Sequence, residues 1–267
     1  MDRPSYEVNV AEFRYEPVGH CIYCGDSSSF LTLEHIIPLN LVGHLKLPKA
    51  SCSVCQKVTH AFETEFAKAT RGFRYRLGIK ARKPKKRVHV HTVTINDGHR
   101  KREIQIPTED FPKLLSIPEL VLPRILTGAS DNDLGRIWNG VDLRDMRAFA
   151  DRYGGQEATF AKYDVATFLR LVAKVAHAYA YAAIPRSELS SYNLLLGDFI
   201  RTGEGDPLYL IGGGRQQLDK VKDLHQIELL TLERSTDELL VCRLRLFAAL
   251  GAPEHHVVVG IREKREA

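Results

Sequence analysis

Cys21-Ile22-Tyr23-Cys24-Gly25 and Cys52-Ser53-Val54-Cys55 bracket Leu33-Glu34-His35-Ile36-Ile37-Pro38, and the reading of these three stretches decides how the first quarter of the chain folds. Each Cys-x-x-Cys pair brings two soft ligands to one ion, and zinc favours four tetrahedral thiolates. The spacing therefore predicts a structural Zn2+ held by Cys21, Cys24, Cys52 and Cys55. The 27 residues between the pairs leave room for a hairpin, as zinc ribbons and treble clefs need. A redox motif would not need two such pairs side by side. The fifth cysteine, Cys242, lies in the apolar run Leu239-Leu240-Val241-Cys242 and reads as a small core residue.

Around the cysteines the pattern changes twice. Phe30 to Ile37 is a short extended run closed by Pro38, which disfavours helical geometry at Ile37. After a loop with Gly43 and Pro48, Val58, Phe62, Phe66, Ala69 and Phe73 recur at helical spacing, with Ser51 as the expected N-cap. The second cysteine pair thus opens a helix, where free N–H groups favour thiolate over thiol. At 100° per residue, Cys52, Cys55, Gln56, Thr59 and His60 are expected on one face.

An isolated Glu34-His35 pair would be a solvated acid beside a core histidine. Between two zinc pincers, and followed by Ile-Ile-Pro, it resembles the HNH (ββα-metal) endonuclease family in its zinc-containing subtype. The resemblance covers about residues 19 to 66. It implies a ββα-metal fold in which the first strand carries acid and histidine and the helix supplies the remaining metal ligand. By resemblance, His35 is the general base and Glu34 a ligand of a catalytic Mg2+ or other divalent cation, completed by Gln56 and His60. Gln56 stands where the family usually has asparagine, and Glu34 where it usually has aspartate, each longer by one methylene. The family's middle asparagine has two candidate positions, Asn40 and Lys49. The chemistry is that of phosphodiester hydrolysis: a neutral imidazole activates water, and a divalent ion stabilises charge on phosphate and leaving group.

Charge points to the same partner. The 267 residues carry a net charge of +5, yet twelve Lys or Arg and one acid, Asp97, fall between Arg71 and Arg102, so the remainder is net acidic. Such a concentration suits a phosphate backbone, with Lys83, Lys85, Lys86 and Arg87 as the expected contacts and DNA as the expected nucleic acid. The same charges would equally serve a solvated surface. Phe73 and Tyr75 interleave with Arg71, Arg74 and Arg76, which suits base stacking or simply the end of an amphipathic helix. No apolar run approaches the ~20 residues needed to span a bilayer, and the first residues lack a secretory signal. A cytoplasmic location is expected.

The rest of the chain predicts an α+β protein: a treble-clef/ββα-metal module over 15–78, a basic loop and β-hairpin over 79–110, and a mixed helix/antiparallel-sheet domain over 111–267. Asn96-Asp97-Gly98 marks the hairpin turn between Val88–Ile95 and Arg102–Ile106. Positions 107 to 155 read as short, proline-broken helices. Val165 to Ala183 is the clearest helix of the second half, with Phe168, Val172, Val175 and Tyr179 as its core stripe. Leu208–Ile211, Ile227–Leu232, Leu239–Phe247 and Val257–Ile261 read as strands. Gly212-Gly213-Gly214-Arg215 lacks the Lys-Ser/Thr of a P-loop and reads as a turn. His89 and His91 read as the polar face of the hairpin, and His255 and His256 as pointing to opposite faces.

Three functions compete on this basis. The first is a metal-dependent endonuclease acting on nucleic acid. The second is a catalytically inactive zinc module that binds it. The third is a zinc-stabilised protein-interaction domain, and the C-terminal domain offers a surface for a homo-oligomer or protein partner.

Overall fold

A computed structural model describes residues 11–76, 90–96, 98, 100–130, 134–154, 157–159, 163–214, 219 and 221–264. Strand β1 (Phe13–Arg14) lies parallel to β3 (Leu45–Cys52), which pairs antiparallel with β2 (Leu31–His35). Between β2 and β3 the chain folds back so tightly that a Cβ on Gly43 would lie 1.7 Å from the Ile37 carbonyl oxygen, so only glycine fits. Helix α1 (Ser53–Ala69) follows β3 directly. Its cap is Cys52, whose Sγ accepts from the Cys55 N–H, and not Ser51, which is still extended in β3. The helical stripe continues past a break at Thr70 into α2 (Arg71–Arg76), and the Thr70 hydroxyl donates to the Phe66 carbonyl at 2.9 Å.

The hairpin read around Asn96 is present as β4 (Val90–Asn96) and β5 (Lys101–Pro107). The region expected to hold only short helices instead forms a second hairpin, β6 (Leu114–Glu119) and β7 (Arg136–Val141), with a single turn α3 (Arg124–Thr127) between them. Pro118 lies within β6, which a two-stranded sheet tolerates because it leaves one side of each strand unpaired. Only α4 (Leu143–Tyr153), capped by Asp142, matches the helical expectation at length. After it, β8 (Glu157–Thr159) joins β4, closing a three-stranded sheet over Val93, Ile95, Ile106, Phe111 and Phe149.

Helix α5 (Val165–Ala183) has the bounds read from the sequence, with Asp164 as its cap and Pro185 after its end. It is followed by α6 (Arg186–Leu189), β9 (Asn193–Leu194), α7 (Gly197–Thr202) and α8 (Pro207–Leu210). Leu208 to Leu210 is therefore a helical turn rather than a strand, since Pro207 favours the first helical position. Strand β10 (Ile211–Gly213) then enters a sheet ordered β10-β13-β12-β11, with β9 also on β13. Here β11 is Gln226–Glu233, β12 Asp237–Arg245 and β13 His255–Glu263, close to the three strands expected. Gly212 and Gly213, read as part of a turn, are instead the end of strand β10. The Gly212 Cα passes so near the neighbouring chain that a Cβ would meet the Val121 carbonyl oxygen at 2.3 Å.

One apolar core joins the two ends of the chain. Ile36, Leu47, Phe62 and Phe66 from the first unit belong to the same cluster as Phe168, Val172, Leu244 and Val257. The Phe66 ring sits 5.8 Å from Phe168 and 4.8 Å from Tyr163, so α5 forms the floor on which α1 lies.

Candidate metal centre and the Glu34–His35 strand

Cys21 to Gly25 form a tight knuckle. The Gly25 N–H donates to the Cys21 carbonyl at 2.8 Å, and Gly25 has φ +77°, a conformation glycine adopts without strain. The second pair sits on the first turn of α1. Together the four sulfurs lie within 4.8 Å of one another, and those of Cys24 and Cys52 are 3.8 Å apart. A tetrahedral zinc site with bonds of about 2.3 Å has edges of about 3.8 Å, so the four-cysteine cluster fits a structural Zn2+. Three of the cysteines are buried and Cys24 is exposed, while Cys242 is a core residue of β12, as read.

Glu34 points from β2 into the protein. Its carboxylate is buried, and Lys174 Nζ, wholly buried on α5, lies 2.6 Å from Oε1. The same ammonium is 2.9 Å from Glu63 Oε1 on α1 and 3.2 Å from the Ile36 carbonyl oxygen, and it donates to the His35 carbonyl. Burial alone would pull the Lys174 pKa down, but the two carboxylates outweigh it and hold the ammonium above its ordinary value. Burial and the neighbouring charge of Glu63 push Glu34 up, against the attraction of Lys174. The buried Tyr23 phenol shares this environment, raised well above its usual range by burial and then by Glu34 and Glu63.

His35 follows at the mouth of β2, half-buried and in register with Lys46, which pairs with Glu12. The helix residues expected beside it turn another way. The buried side of α1 carries Cys55, Thr59, Phe62 and Phe66, whereas Gln56 and His60 are exposed. His60 Nε2 lies 3.3 Å from the Thr64 hydroxyl. Glu34, Gln56 and His60 are not gathered as a ligand set. Among the described residues, the four cysteines are the one grouping of three or more His, Cys, Asp or Glu close enough to hold a metal ion together. The Glu34 carboxylate is engaged by buried Lys174, while Gln56 and His60 lie on the exposed side of α1. Asn40 has a buried side-chain oxygen without a hydrogen-bond partner, and its carbonyl accepts from Arg74 at 2.6 Å. Lys49 is exposed, with φ +49°.

Sequence reasoning missed Lys174, Glu63 and His177. The signal for Lys174 was present: a lone lysine in Leu171-Val172-Ala173-Lys174-Val175-Ala176 has no wet face to reach, so it needs a buried partner. His177, one turn further along α5, donates from Nε2 to the Ile22 carbonyl at 2.6 Å and stacks on Tyr23 at 5.9 Å. Lys174 and His177 thus tie α5 to both the Glu34 strand and the cysteine knuckle.

The basic residues divide. Lys83, Lys85, Lys86 and Arg87 lie outside the described residues. Arg74 is buried and satisfies the carbonyls of Asn40 and Ala67, so it serves the fold; Arg71 is exposed. His91 lies 3.1 Å from the Thr108 hydroxyl, and His89 is outside the described residues. His255 and His256 diverge as read, the first to the Pro118 carbonyl and the second to Glu254. Among the described residues no helix is long and apolar enough to cross a membrane. Comparison of the chain with protein-family models, with curated proteins and with solved structures finds no match in any of the three.

Proposed function

We propose that the protein is a nucleic-acid phosphodiesterase of the HNH kind, with DNA as the expected substrate and His35 as general base. The observation that carries this reading is the position of His35. It ends the first strand of a hairpin that runs straight into a helix, and both ends of that unit meet at one four-sulfur cluster.

In this mechanism Cys21, Cys24, Cys52 and Cys55 hold a zinc ion whose contribution is to the fold: it fixes the hairpin against α1. The half-buried His35 imidazole takes the proton from the attacking water. Its strand cannot slide, because the His35 and Ile36 carbonyls are both bound by Lys174. The basic segment around Lys83, Lys85, Lys86 and Arg87 would hold backbone phosphates. No step runs through a cation on Glu34, whose carboxylate is bound to Lys174.

Supercoiled plasmid incubated with the purified chain tests the reading. The expected result is nicking or linearisation that falls at least ~100-fold in His35→Ala, the scale of a lost general base. Equal cleavage by both proteins would remove His35 from the mechanism. The ion pair at Glu34 favours a second reading, a zinc module that binds nucleic acid without cutting it. Salt-sensitive plasmid binding by both proteins, with no cleavage by either, would put that reading first.

A further inference from the structure

Four oxygens converge on one point beneath the Glu34–His35 strand. Glu34 Oε1 at 2.6 Å, Glu63 Oε1 at 2.9 Å, the Ile36 carbonyl at 3.2 Å and the His35 carbonyl all surround Lys174 Nζ. They come from two carboxylates and two adjacent backbone groups, contributed by β2, its continuation and α1. This is an all-oxygen, net anionic cage of the chemistry that hard divalent cations prefer. An ammonium has three protons to donate, one fewer than the cage has oxygens. The lysine is wholly buried and cannot reach a substrate.

The geometry points to Lys174 as a built-in cation that fills this cage, so that the wild-type chain takes no divalent ion at Glu34 and gains such a site when the lysine is removed. The physical reason is charge balance. Two carboxylates held out of water need a positive partner. In this chain a tethered ammonium supplies it at an effective concentration no free ion matches. Removing the ammonium leaves two carboxylates and two carbonyls facing a void the size of a lysine side chain, which Mn2+ or Mg2+ can enter with its own water molecules. The inference goes beyond the nuclease reading and does not depend on cleavage, although it implies that any cleavage by the wild-type chain needs no divalent ion on Glu34.

The test is a Mn2+ titration followed by electron paramagnetic resonance of the free ion. It uses the full zinc-loaded chain, Glu34→Gln, Lys174→Ala and the double variant, with zinc content and far-UV circular dichroism recorded for each. The expected result is no Glu34-dependent Mn2+ binding by wild type. Lys174→Ala should bind one Mn2+ at least ten times more tightly, and the double variant should lose that gain. Mn2+ uptake by wild type that Glu34→Gln abolishes would overturn the proposal. So would a folded, zinc-loaded Lys174→Ala chain with no gain in affinity. If Lys174→Ala does not fold, the comparison of wild type with Glu34→Gln decides alone. The titration reads the cage and the plasmid assay reads His35, so failure of one is told from failure of the other.

Discussion

Glu34 and His35 are neighbours in sequence but sit in opposite environments, because successive side chains on a strand point to opposite faces. Glu34 goes inward to a buried ammonium, and His35, on the other face, is only half-buried. Glu34→Gln removes one charge from the cage and leaves Lys174 with Glu63. The expected cost is about 3–5 kcal/mol in urea unfolding at pH 7.5 with zinc saturating, the range for a broken buried pair. A cost near zero would mean that Glu63 alone satisfies the ammonium. His225 gives a second prediction. Its Nδ1 accepts from the Phe247 N–H at 3.1 Å, so Nε2 carries the proton that goes to the Leu41 carbonyl at 2.7 Å. Protonation would set two N–H donors against each other, and burial already lowers the pKa to about 4. A depressed pKa adds stability that is complete above about 6.5 and is lost as pH falls through 4. Between pH 7.5 and 5 wild type should lose about 1–2 kcal/mol at this residue. His225→Gln should flatten that part of the urea-stability profile, and an unchanged slope would place the titration elsewhere. The cysteine quartet was legible in the sequence because two-residue spacers are short and rigid. The partner of Glu34 was not, because it comes from 140 positions away on another helix.

At the scale of elements, legibility followed the strength of the local signal. Helix α5 has an aspartate cap, nineteen helical residues and a proline after its end, and it was read to the residue. β11, β12 and β13 carry apolar runs that survive in any context. The hairpin β6–β7 was hidden by Pro118, and the turn α8 by the apolar run that follows Pro207. The face of α1 was misjudged because cysteine and phenylalanine decide it: Cys55, Thr59, Phe62 and Phe66 turn inward and carry Gln56 and His60 outward. The start of α1 also rests on a sulfur cap, the Cys52 Sγ accepting from the Cys55 N–H at 3.5 Å. Zinc should therefore hold more than four side chains. Native protein is expected to carry one Zn2+ per chain by elemental analysis. Its removal by a strong chelator should lower the far-UV helical signal and the melting temperature together, with Cys52→Ser showing the same loss. A metal-free chain with unchanged helix and unchanged melting would deny zinc its structural role.

The whole molecule sets the limit on treating residues 15–78 as a module. Its cysteine knuckle is held by the His177 side chain at the Ile22 carbonyl. The carbonyls of its Glu34–His35 strand are held by Lys174, and Phe66 packs on Phe168. All three supports come from α5, and α5 in turn packs against β12 and β13. Cutting the chain after residue 78 would strip Glu34 and Glu63 of their shared cation and leave two carboxylates on an uncovered apolar face. A unit of that length buries too little surface alone to absorb such a loss, even with a metal. The expected behaviour of residues 1–78 is zinc binding without cooperative unfolding. The four thiolates can still chelate, but thermal melting followed by circular dichroism should show no sharp transition, and an amide NMR spectrum should lack dispersion for β2 and β3. Adding residues 79–267 as the intact chain should restore both. A fragment that melts cooperatively with zinc would show that the ββα unit is autonomous. Lys174 and His177 would then be late additions to a finished fold rather than part of what holds His35 in place.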